Sequence, residues 1–205
     1  FLNGDDRLCR QRLKQITVFL SESAYHRAFK IQYAFQPSGG ADESILENPP
    51  LTSLGAGFQN ASGIYIADDF TISANTWSIT SMEFFGYQTG SSTTSTFTGI
   101  FVQVWDGEPG TTGASVVWGD RTTNLLASTQ WANIYRNSDG PGGATNRPIM
   151  QIVASTPGLT LTAGTYWVEW SATGSGSSGP WAPPITITGQ YTTGNGIQWY
   201  SGVWS

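Results

Sequence analysis

Eleven of the fourteen acidic residues in this 205-residue chain lie beyond residue 36, and they are the side chains best suited to acid–base or metal chemistry. Asp68 and Asp69 are neighbours in the run Ile66-Ala67-Asp68-Asp69-Phe70-Thr71. Successive residues of a strand point to opposite faces, so these two do not make one acid–base pair. Either could ligate a structural Ca2+ with backbone carbonyls and Asp106 or Glu108, because hard cations take oxygen donors. The plainer alternative is that one caps a turn and the other is solvated. Asp106, Glu108 and Asp120 form a second acidic group. Glycoside hydrolysis needs two carboxylates about 5–5.5 Å apart with retention, or about 6.5–9.5 Å apart with inversion. These acids each lie beside Gly107 or Gly119, the ordinary setting of a turn acid. The chain is therefore read as non-enzymatic, with a carboxylate-dependent glycan hydrolase as an outlying alternative.

Nucleophilic and zinc chemistry are restricted further. His26 is the only His and Cys9 the only Cys, both ahead of residue 37. The rest of the chain can build neither a Ser-His-Asp arrangement nor a His-based zinc site. A lone Cys closes no intramolecular disulfide.

Aromatic residues carry the remaining signal: they make up 13% of the chain and include nine Trp. Trp105, Trp167 and Trp170 stand within apolar runs, and most of them are expected in the core. Trp118, Trp131, Trp181, Trp199 and Trp204 stand beside Gly, Asn, Pro or polar residues. Exposed rings stack on the apolar faces of sugars, with nearby polar groups to fix orientation. Trp131 and Trp181 are the leading candidates for such a platform, with Trp118 and Trp199 beside them. Tyr135, Arg136 and Asp139 are the candidate polar contacts. The competing reading is that these rings plug the ends of the sandwich. Asn60-Ala61-Ser62 matches a glycosylation sequon and carries no weight in this composition.

The elements that position these residues are strands. Apolar runs fall at 63–72, 77–88, 97–106, 115–119, 125–136, 148–154, 158–161, 165–173, 184–188 and 197–204, separated by turn residues. In the third run, Phe97, Gly99, Phe101, Gln103 and Trp105 share one face, and Thr98, Ile100, Val102 and Val104 the other. Apolar groups on both faces predict a central strand, covered on both sides or rimmed by aromatics. Asp106-Gly107-Glu108-Pro109-Gly110 ends it. No helical spacer of ten or more residues separates the runs, which excludes an α/β fold. The pattern predicts an all-β, antiparallel β-sandwich, jelly-roll-like, over residues 63–205.

The first 36 residues differ. They hold six of the nine basic residues, and no Lys follows Lys30. Leu8, Leu13, Ile16, Phe19 and Leu20 approach helical spacing, predicting a basic amphipathic helix over 7–20. Phe29, Ile31, Tyr33 and Phe35 alternate as a strand. Residues 1–36 are read as a basic extension and 37–62 as a loop-rich linker. Beyond residue 36, only Arg121, Arg136 and Arg147 are cationic. That body lacks the basic stripe a nucleic-acid partner requires. No run of about 18 apolar residues predicts a transmembrane segment. The first residue is Phe1 rather than Met, and the last, Ser205, follows an aromatic run; a fragment or processed form is expected.

Several phrases in this body resemble a known family. They are Ile66 to Thr71, Trp77-Ser78-Ile79-Thr80-Ser81-Met82-Glu83-Phe84-Phe85-Gly86-Tyr87, Val104-Trp105-Asp106-Gly107, Val116-Val117-Trp118-Gly119-Asp120, Gly164-Thr165-Tyr166-Trp167 and Ser178-Gly179-Pro180-Trp181-Ala182-Pro183-Pro184. Their order is similar to that in β-sandwich domains of secreted and surface proteins of Bacteroidetes and related bacteria, over roughly residues 60–205. The resemblance implies secretion and a jelly-roll-like fold, with no catalytic residues to carry over. The resulting expectation is a non-catalytic extracellular module for surface adhesion or carbohydrate binding, partnered by a polysaccharide or cell-surface glycan. The alternative is a structural or assembly subunit that adds the strand at 29–35 to a neighbour's sheet.

Overall fold

Alternating apolar side chains separated by Gly- and Asn-rich turns give strands throughout, and the computed structural model is all-β. It describes residues 17–20, 29–30, 56–136, 145–183 and 196–205. The strands are β1 (Thr17–Leu20), β2 (Phe29–Lys30), β3 (Ala56–Gly57), β4 (Tyr65–Ile72), β5 (Trp77–Gly86), β6 (Phe97–Trp105) and β7 (Val116–Asp120). They continue as β8 (Leu126–Tyr135), β9 (Pro148–Leu161), β10 (Gly164–Gly174), β11 (Trp181–Ala182), β12 (Ile197–Tyr200) and β13 (Val203–Trp204). A 3-10 turn, Asn60–Ser62, precedes β4.

Two antiparallel sheets form the sandwich: a five-stranded sheet ordered β2-β1-β5-β9-β8 and a six-stranded sheet ordered β13-β12-β4-β10-β6-β7. The pair β4–β10 nests around the pair β5–β9 in sequence, one pair in each sheet, which is the jelly-roll manner of wrapping. A small third sheet pairs β11 with β3.

The main core lies between the sheets. Ile66, Phe70 and Ile72 of β4, Ile100, Val102 and Val104 of β6, and Val168, Trp170 and Ala172 of β10 project inward from one sheet. Ile79, Met82 and Phe84 of β5 meet them from the other, with Met150, Ile152, Ala154, Leu159 and Leu161 of β9. The inward residues change parity partway along β5 and β9, where the register shifts between Ile79 and Ser81. A slip of one residue would otherwise turn half of each strand's apolar set outward. The buried Thr156 hydroxyl donates to the Ile79 carbonyl at 2.8 Å and holds this shift.

Three expectations change. The run at 197–204 is not one strand but a hairpin, β12 paired with β13. The runs at 148–154 and 158–161 are one strand, Pro148–Leu161. Pro157 lies within it, at the irregularity, past the last residue of β9 that pairs with β8, so its missing N–H costs no ladder bond. The helix predicted over 7–20 is strand at Thr17–Leu20, paired with β5 from Thr17↔Glu83 to Leu20↔Ile79. The cross-strand partner in β5 outweighs the weak helical periodicity there. Phe29 and Lys30 pair with β1. The remainder of the predicted helix, residues 31–35 and the strand expected at 184–188 lie outside the described residues.

Candidate functional site

The outer face of the six-stranded sheet, away from the core, is the site the fold builds. Glu169 projects outward from β10, in one row with Ile197, Ala67, Gln103 and Gly119 from β12, β4, β6 and β7. The adjacent row holds Asp69, Trp167 and Trp105. Tyr65, Trp199 and Trp204 make a third series along β4, β12 and β13.

A sheet of this fold is curled into a half-barrel, and side chains from both sides of the six-stranded sheet close over its outer face, which we take as the concave one. Arg121 follows directly after β7, three strand spacings from β4, which is roughly 14 Å in a flat sheet. The long Arg and aromatic side chains span that gap, and the guanidinium carbon lies 4.0 Å from the Tyr65 ring centroid and 5.9 Å from that of Trp199. The Trp204 ring likewise reaches the β6–β7 loop, where a methyl group on Gly110 would sit 2.8 Å from its Cδ1. Side chains and the β6–β7 loop thus bridge the two sides of this face.

The charged pair at the centre is closely fitted. Arg121 Nε donates to Glu169 Oε1 at 2.6 Å, and Nη2 to Oε2 at 3.0 Å. Trp105 Nε1 also donates to Oε2, at 3.0 Å. Glu169 is 1% exposed and Arg121 34%. A buried carboxylate is tolerable when charge and hydrogen bonds both meet it, as here. Burial opposes the charge on Arg121; the Glu169 hydrogen bonds and charge outweigh it, so the guanidinium is held charged more firmly than in water.

Local sequence explains how Arg121 is placed. Asp120 Oδ1 accepts from Thr122 N, Thr122 Oγ1 and Thr123 N at 2.6, 2.7 and 2.6 Å. Its Oδ2 accepts from Thr123 Oγ1 at 2.8 Å. These bonds, the Thr122 hydroxyl first, hold the Asp120 carboxyl well below the usual range. They also fix the turn that carries Arg121. Asn60 Nδ2 secures the other side, donating to the Arg121 carbonyl and to Ser171 Oγ, each at 3.0 Å. The sequon amide is therefore an internal clasp.

The residues singled out in the sequence are dispersed. Trp199 lies on the concave face. Trp118 lies on the core side of β7, half-buried, with Nε1 donating to the Pro157 carbonyl of the opposite sheet at 3.3 Å. Trp131 lies on the core side of β8, its ring centroid 5.3 Å from that of Tyr135. Both therefore line the side of the sandwich where β7 crosses to β8. Trp181 packs with Phe85, Tyr87 and Ile149 on the outer face of the five-stranded sheet. Arg136 is fully buried beside β8, and Asp139 lies outside the described residues, as do Cys9 and His26.

Of the candidate calcium ligands, Asp68 is opposite Val168 on the core side and Asp69 opposite Trp167 on the concave side. Asp106 and Glu108 are exposed in the β6–β7 loop. Asp106 Oδ1 accepts from Ser115 N at 2.6 Å. Among the described residues, no three His, Cys, Asp or Glu side chains are grouped to hold a metal ion. No helix among them is long and apolar enough to cross a membrane.

Trp170 is in the main core and Trp167 is also buried, as expected for most of that trio, but Trp167 and the half-buried Trp105 lie on the outer face. Trp105, Trp167, Arg121, Glu169 and Tyr65 form the concave site instead. The signal was the two-residue spacing of Trp167 and Glu169, which places a carboxylate and an indole on one face opposite Val168 and Trp170. Comparison with family models, curated proteins and solved structures gives no match.

Proposed function

We propose that this chain is a non-catalytic carbohydrate-binding module of an extracellular or cell-surface protein, and that the concave face of the six-stranded sheet receives the glycan. The observation that carries this reading is the convergence of three partly exposed rings, Tyr65, Trp105 and Trp199, around a fixed polar centre. Rings of this kind offer flat apolar area to sugar C–H faces, and Gln103 and Arg121 add polar contacts on the same surface. Support for binding over hydrolysis comes from the carboxylates. Both Glu169 oxygens are committed to Arg121 and Trp105, and both Asp120 oxygens to the turn. The low charge and excess of Gly, Ser and Thr fit a module displayed outside the cell. Affinity electrophoresis of the chain against a panel of polysaccharides tests this. Retention should fall at least tenfold with Trp199→Ala or Trp105→Ala and should persist with Trp181→Ala. Absence of retention on every polysaccharide would overturn it.

A second reading, an assembly subunit, is favoured by a separate observation. The exposed large hydrophobics among the described residues, Val116, Val117, Tyr200 and Val203, all lie on β7, β12 and β13 at the two sides of the six-stranded sheet. Natural sheet edges are usually guarded by Lys or Pro, and these strands carry neither. Strand addition between copies would give concentration-dependent growth in size-exclusion chromatography, abolished by Val117→Lys with Val203→Lys. A monomer at all concentrations would dismiss it.

A further inference from the structure

Charge on the concave face bears on which glycan it takes. Arg121 is the only cation the described residues place there, and Glu169 neutralises it through two hydrogen bonds, at 2.6 and 3.0 Å. The other Arg residues of the sandwich, Arg136 and Arg147, lie beside β8 and β9 in the opposite sheet. Acids dominate the surroundings. Asp69 shares the face. Asp106 and Glu108 lie in the loop whose Gly110 meets Trp204, and Asp120 adjoins Arg121. A uronate or sulfate entering this site would lose hydration and meet net negative charge, with no unpaired guanidinium or ammonium among the described residues of the face to replace its water.

We infer that the concave face selects an uncharged glycan and rejects acidic ones, because Arg121, the one cation its described residues supply, is neutralised from within by Glu169. This rests on the reading of that face as the glycan site. Stacking on Tyr65, Trp105 and Trp199 is insensitive to salt, whereas recognition through a free cation is screened by it.

Affinity electrophoresis of the whole chain provides the test, with a soluble neutral β-glucan, a neutral mannan, polygalacturonate and chondroitin sulfate as probes. At least one neutral polymer should retain the protein, with affinity changing less than about twofold between 50 and 500 mM NaCl. The two acidic polymers should give no retention at either salt concentration. Glu169→Gln keeps the side-chain volume and releases the Arg121 charge, so it should gain retention on polygalacturonate that disappears at high salt. Wild-type retention on an acidic polymer equal to that on the neutral ones would overturn the inference while leaving the glycan site standing. The wild-type salt series decides this even if Glu169→Gln does not fold. Absence of retention on all four would remove the glycan site and the inference with it.

Discussion

Trp170 and Trp167 stand on opposite faces of β10, 4% and 6% exposed. Trp170 faces the other sheet and packs on Phe84, with ring centroids 5.3 Å apart. Its neighbours across β4 and β6 are Ile66 and Val102. Trp167 faces the concave side, between Asp69 and Trp105. The inner face is buried by another sheet. The outer face is covered by its own side chains: Arg121 and Trp105 bond Glu169, and Arg121 lies against Tyr65 and Trp199. Equal burial therefore has two origins: apolar area removed from water on one side, and a paired charge ringed by aromatics on the other. Only the second leaves partly exposed rings and polar groups together, which is why it, and not the larger core, is the candidate site.

The largest expected effect tests the inner half of this contrast. Trp170→Ala empties a site lined by Phe84 and the β4 and β6 side chains and should cost about 4 kcal/mol. Urea denaturation would show it as a lowered midpoint of one cooperative transition. A loss below about 1 kcal/mol would mean that the two faces do not differ as described. Glu169→Ala comes next, at about 3 kcal/mol, because it leaves Arg121 without its carboxylate while Arg121 keeps some contact with water. The same denaturation series checks it. Hydrogen exchange should localise the opening to β7 and β12–β13 and leave β5 and β9 protected.

Gly119→Ala sharpens the contrast further. Gly119 has φ of 78°, and a Cβ there would run into the Val102 carbonyl oxygen. An Ala at such a backbone position should cost about 2 kcal/mol. Its effect should appear in β7, with loss of intrinsic fluorescence changes attributable to the Arg121 contact with Trp199. Unaltered exchange of the β7 amides would show that the curl does not depend on this bend.

The strand positions were legible from alternation and turn residues, because a sandwich strand needs one apolar face and a Gly or Asn at its end. Phe97 to Trp105 is an example: its two-sided apolar character predicted a central strand, and β6 lies between β10 and β7. The parity change in β5 and β9 was not legible, since a register shift depends on the partner strand. Nor was the candidate site. Arg121 and Glu169 lie 48 residues apart, and Asn60 lies 61 residues from the carbonyl it binds. Only the pairing of distant strands joins them, through β10, β6 and β7. The Trp residues beside turn residues looked like the exposed set, but Trp118 and Trp131 turn inward from edge strands, where a large ring can close the gap between sheets. A ring's sequence neighbours report the end of a strand and say little about the face it occupies.

The smallest expected effect concerns the turn that aims Arg121. The Asp120 carboxyl is held below its usual range by Thr122 and Thr123, so its folded value lies below the unfolded value of about 3.9. A depressed carboxyl contributes stability that is complete above the unfolded value and is lost as pH falls through the folded one. Asp120→Asn removes that contribution while keeping one acceptor oxygen. The Tm difference between wild type and Asp120→Asn should therefore be constant from about pH 7 to 5 and shrink from about pH 4 towards pH 2. A difference undiminished at pH 2 would mean that the turn does not rely on the ionised carboxyl. Because Trp170→Ala removes no ionisable group, it should show no corresponding narrowing over the same range, and the two pH profiles together separate the turn held by an ionised carboxyl from the face held by packing.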